Sequence, residues 1–223
     1  MERGSATLAG EMRFFVYISD SKVDMLCAQI PPKLRQRIAG ELKLDLKVLA
    51  VTLRELPSDE NRYSRLMLLT NYLMREEDIG TADAPAAYIQ DTLEITWGHQ
   101  SVKDPLVYFA GETESSLVLL WGSAKHLVGS TPDPAMVGGG SLAPTMINAA
   151  LGGLPLPVAA DPPDIAAERL ERLSSLVRTA IERREGSVNR LEFLARRLPY
   201  RSGKQPAGKA LLLGSPIYVA FAD

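Results

Sequence analysis

Cysteine and histidine are scarce in this chain: its 223 residues include one cysteine, Cys27, and two histidines, His99 and His126. A lone cysteine forbids an intrachain disulfide, and with it the stapled folds of small secreted proteins, and points to a reducing compartment. The same scarcity leaves too few soft ligands for a zinc or iron–sulfur centre, so no metal site is expected. An excess of charge of one sign is lacking too. The 25 Lys and Arg against 27 Asp and Glu give a net charge of −2, which offers no whole-molecule attraction to nucleic acid or to an anionic membrane. Apolar runs are broken by charge or glycine well short of the ~20 residues that span a bilayer. Residues 1–11 lack the apolar stretch of a signal peptide and read as a disordered leader. These absences together predict a cytoplasmic protein.

Reaction-defining motifs are missing as well. Gly138-Gly139-Gly140-Ser141 is not followed by the Gly-Lys-Ser/Thr of a phosphate-binding loop. No Gly-x-Gly-x-x-Gly follows a predicted strand, and no Gly-x-Ser-x-Gly elbow exists. Ser19-Asp20-Ser21-Lys22 has the spacing of a Ser-x-x-Lys nucleophile and base, but the companion motifs of that chemistry are absent. No cofactor is expected.

What is present is an ordinary globular composition, 46% hydrophobic and 23% charged, on a length that suits one domain over residues 12–223. Residues 13–19, Arg-Phe-Phe-Val-Tyr-Ile-Ser, are aromatic and β-branched and read as a strand buried on both faces. A short helix near 22–29 follows, the Pro31-Pro32 break, and a second helix over 33–42. Alternation from Leu44 to Leu53 predicts a strand. Pro57-Ser58-Asp59-Glu60 opens a helix carrying Tyr63, Leu66, Met67, Thr70, Leu73 and Met74 at helical spacing. Short strands at 93–97, 106–110 and 117–121 follow, with a hairpin turn at 111–114.

Residues 129–163 are rich in glycine and proline and read as a surface excursion, with one short helix near 144–151. The amphipathic stripe of Ile165, Leu170, Leu173, Leu176, Val177, Ala180 and Ile181 predicts a helix over 164–185, and Ser187–Leu198 reads as a second one. A terminal β segment, 210–213 and 217–221, is broken by Gly214-Ser215-Pro216 and returns to the sheet beside the first strand. The fold expected is α+β: a mixed sheet of about six strands packed with helices, a C-terminal helical pair over 164–198, and a final strand in the sheet.

Two apolar strands end in similar polar punctuation: Ser19-Asp20-Ser21-Lys22-Val23-Asp24 and Gly122-Ser123-Ala124-Lys125-His126. Ligands gather beyond the carboxyl ends of strands, where helix N-termini present free amides. If the two strands are parallel neighbours, Asp20, Lys22, Ser123, Lys125 and His126 share one edge. The two lysines would then suit an anion, and Gly139 of the glycine-rich loop could lie over it. The plainer alternative makes Ser19, Asp20 and Ser123 helix caps and His126 a half-buried structural residue. Asp20 and Asp24, four apart, share a helix face and could form a carboxylate pair for acid–base work or Mg²⁺; a solvated helix start is the competing explanation.

Residues 162–209 carry eleven Lys or Arg against six Asp or Glu. Glu182, Glu185 and Glu192 interleave with the arginines and no run of stacking aromatics accompanies them, so nucleic acid is not expected there. A partner surface or an isologous dimer contact through 164–198 is.

Phe15-Val16-Tyr17-Ile18-Ser19-Asp20-Ser21-Lys22-Val23-Asp24-Met25-Leu26, with Gln29-Ile30-Pro31, resembles an uncharacterised family of actinobacterial proteins. Val107-Tyr108-Phe109-Ala110-Gly111, Gly122-Ser123-Ala124-Lys125-His126 and Gly214-Ser215-Pro216-Ile217-Tyr218-Val219-Ala220 carry the same resemblance. It extends over most of the chain from residue 12, implies a bacterial cytoplasmic setting, and gives no residue a role. The function expected from the residues is a non-catalytic binding or sensing protein for a small anionic ligand, such as a nucleotide or phosphorylated metabolite. Two others compete: a hydrolase or transferase on a phosphorylated substrate, with His126 or Asp20 as acid–base, and a protein-interaction module without a pocket.

Overall fold

The computed structural model describes residues 13–42, 59–100, 106–129, 163–183, 187–198 and 208–222. The leader 1–11, the strand expected over 44–53, and nearly all of the 129–163 excursion with its short helix lie outside them. Within the span expected as one domain, the chain divides into two compact units. One is helical and contains Ser19–Ile79; the other is built on a sheet and contains Phe14–Ile18 and Gly80–Asp223.

The helical unit contains α1 (Asp20–Gln29), α2 (Pro32–Glu41) and α3 (Asp59–Glu76). Pro32 occupies the first position of α2, where a missing N–H costs nothing. The Arg35 guanidinium donates to the carbonyls of Cys27 and Ile30 at 3.0 and 3.1 Å, satisfying the orphan acceptors at the end of α1. Leu66, Leu69 and Leu73, at helical spacing on α3, are buried, as are Val23 and Cys27 of α1 and Ile38 of α2.

Among the described residues, seven strands form one sheet: β1 (Phe15–Ile18), β2 (Ile79–Gly80), β3 (Tyr88–Gln100), β4 (Leu106–Glu112), β5 (Ser116–Ser123), β6 (Ser187–Arg197) and β7 (Ala210–Phe221). β3 pairs with β4, β4 with β5, β5 with β7, β7 with β6, and β6 again with β3. That circuit closes a barrel and removes the exposed edges an open sheet would carry. All these pairings are antiparallel except β5 with β7. Val107, Phe109, Val118, Leu120, Ile89, Ile95, Leu191 and Phe193 fill the interior. Each fully buried aromatic or branched side chain contributes about 1.5–3 kcal/mol. On the outside, α4 (Pro163–Arg183) lays Leu170, Leu173 and Val177 against Ala110, Leu117, Trp121, Leu211 and Leu213.

The α+β class, the antiparallel hairpin and the return of the terminal strand beside β1 are all present, and the helix expected over 164–185 is described as Pro163–Arg183. Phe15 and Ala220 are partners in the register. Two elements differ from expectation. Ser187–Arg197, expected as the second helix of a pair, is β6, held through ten register positions on β3 and again along β7. Hydrogen-bonding partners on both flanks outweigh a local helical preference. The terminal segment is also one continuous strand, because Pro216 is absorbed by a bulge: Leu194 faces Tyr218 while Ala195 faces Pro216.

Candidate functional site

β1 runs antiparallel to β7, and β7 runs parallel to β5. β1 and β5 are therefore antiparallel to each other, and their carboxyl ends point in opposite directions. This corrects the premise of two parallel strands sharing one ligand edge. Asp20, Lys22 and Asp24 belong to the helical unit, Ser123, Lys125 and His126 to the sheet unit, and Gly139 lies outside the described residues.

In the helical unit, the first turn of α1 grows from the Ser19 carbonyl, which accepts from the amides of Lys22 and Val23 at 3.0 and 2.9 Å. The Ser19 side chain makes no cap. Asp20 pairs with Arg62 at 2.8 Å, and Asp24 pairs with Arg65 at 2.6 Å. Residues four apart on α1 thus meet residues three apart on α3, which fixes the register of the two helices. Each carboxylate has its own guanidinium, an arrangement that holds the two helices together. Lys22 is different. Burial pushes its ammonium from the ordinary 10.5 down to about 8, because a charge removed from water favours its neutral form. Cys27 is pushed up to about 12, first by burial and then by the Asp24 carboxylate, and its thiol faces the Arg65 carbonyl at 3.5 Å. A thiol so far from ionising is no nucleophile at neutral pH.

In the sheet unit, Ser123 ends β5 and leads into a single 3₁₀ turn, Ala124–His126, again without a side-chain cap. His126 is buried, its ring set edge-on to Tyr17 with centroids 5.9 Å apart. Leu127 bridges to Tyr17, and the Val128 amide donates to the Val16 carbonyl at 3.0 Å. The turn therefore sews the chain after β5 onto β1. Gly122 is required beneath it, since a Cβ there would lie 2.2 Å from the Tyr17 hydroxyl. Lys125 is half-buried on the same turn.

Two polar groupings escaped the sequence reading. The Tyr218 hydroxyl donates to Glu192 Oε1, which also accepts from Gln90 Nε2 at 3.1 Å. Asp83 Oδ1 accepts from the hydroxyls of Thr113 and Ser115. Those hydrogen bonds, Ser115 first and Thr113 next, hold its carboxyl below the usual range. Lys209 Nζ reaches the same hairpin, at 2.6 Å from Glu112 Oε2 and 2.7 Å from the Thr113 carbonyl. Neither grouping has a spacing that could flag it, since the partners come from different strands and loops. Among the described residues no cluster of three or more His, Cys, Asp or Glu is placed to hold a metal ion, and no helix is long and apolar enough to cross a membrane.

With this geometry established, comparison with protein families finds a match to a family of unknown function, DUF7019, over residues 13–223. The chain belongs to the DUF7019 family. No curated protein and no solved structure matches it. Among the described residues of this DUF7019 member, Lys22 is a half-buried cation at the start of a helix.

Proposed function

We propose that this DUF7019 protein is a non-catalytic binding or sensing protein, and that the ligand is a small anion such as a nucleotide or phosphorylated metabolite. Lys22 carries the reading. An ammonium held down to about 8 by burial regains its ordinary preference for charge when an anion settles beside it, so ligand binding and protonation reinforce each other. Asp20 and Asp24 do not compete strongly for that anion's place, because Arg62 and Arg65 already offset their charge. Lys125, half-buried on the turn after β5, is a second cation to test. The lone cysteine and the composition support a bacterial cytoplasmic setting.

The enzyme alternative has less behind it. Asp20 pairs with Arg62 at 2.8 Å, and the buried His126 ring packs edge-on against Tyr17. The interaction-module alternative placed a partner or second copy on the expected helical pair over 164–198. Leu170, Leu173 and Val177 of that stretch face the barrel of their own chain, and Leu191, Phe193 and Ala195 line its interior. A partner or second copy meeting this region would use the charged outer face of α4, where Glu168 and Arg172 pair at 2.7 Å.

The test is a thermal-shift titration with inorganic phosphate, ATP, GTP and sugar phosphates, on the full chain and on Lys22→Met, Lys125→Ala and His126→Ala. A saturable rise in Tm that disappears in Lys22→Met supports the proposal. A rise that persists in Lys22→Met moves the site elsewhere, and no rise with any probe overturns it.

A further inference from the structure

We draw no further inference here: the strongest candidate, the exposed aromatic pair of Phe14 and Phe221 at the end of the barrel where β1 begins and β7 finishes, is an apolar patch and nothing in the structure shows what covers it.

Discussion

Gly122 and Tyr17 set a tight steric condition within the sheet unit. With the Tyr17 hydroxyl and ring carbon 2.2 and 2.8 Å from where a Cβ would stand, Gly122→Ala forces a buried ring out of place. The expected cost is about 1–3 kcal/mol, typical of overpacking in a closed core, measured by urea unfolding. Tyr17→Phe removes the nearer atom, so the double variant should lose less than the two single losses combined. Strict additivity would mean the two sites do not touch.

Lys22 yields a pH prediction of opposite character. Its folded pKa, about 8, lies below the unfolded 10.5, so the unfolded chain binds more protons between those values and stability rises with pH across that window. Below about pH 8 the buried charge costs roughly 3 kcal/mol, from 1.36 kcal/mol per unit. Lys22→Met should therefore stabilise the protein at pH 7, with the gain fading toward pH 10.5. A gain that does not change with pH would show that the side chain fits poorly for reasons other than its charge.

At the scale of elements, what was legible in the sequence depended on whether one period dominated. α3 and α4 repeat their leucines at helical spacing and nothing else, so they were readable. β6 carries two periods at once: Leu191, Leu194, Ala195 and Leu198 suit a helix, while Leu191, Phe193 and Ala195 suit a strand. Leu, Glu and Arg favour the helix locally. The deciding partners are β3 and β7, remote in sequence, and no local pattern reports them. The candidate site suffered the same way: the residue types were visible, but the relative direction of β1 and β5 was fixed by β7, which enters the chain last. The Glu192 grouping belongs to this scale because it ties β3, β6 and β7 together. Glu192→Ala leaves the buried Tyr218 hydroxyl without its acceptor, an expected loss of about 1–3 kcal/mol. Adding Tyr218→Phe should recover part of it in chemical denaturation. For α4, Leu170→Ala and Leu173→Ala should each cost about 2–5 kcal/mol, the usual range for emptying a buried leucine site.

For the molecule as a whole, β7 is the strand on which the others depend. It is the shared neighbour of β1, β5 and β6, and ten of its twelve residues are buried. Removing residues 210–222 opens the barrel, strips partners from three strands at once and exposes their apolar faces. The expected outcome is a chain without a cooperative thermal transition by circular dichroism. A truncated chain that still melted cooperatively would show that the barrel is not the unit of stability. Closure also joins ends far apart in sequence, the geometry that slows folding through the entropy of large loops.

The pairing of Phe15 with Ala220 has a consequence for how the protein is made. During synthesis β1 leaves the ribosome well before β7, with Val16, Tyr17 and Ile18 apolar and unmatched, and its partner strand is translated only after some two hundred further residues. At a synthesis rate of about 5–20 residues per second, that wait lasts on the order of ten seconds or more. Throughout it the nascent chain presents a sticky strand to its surroundings, the kind of exposure that holdase chaperones exist to shield.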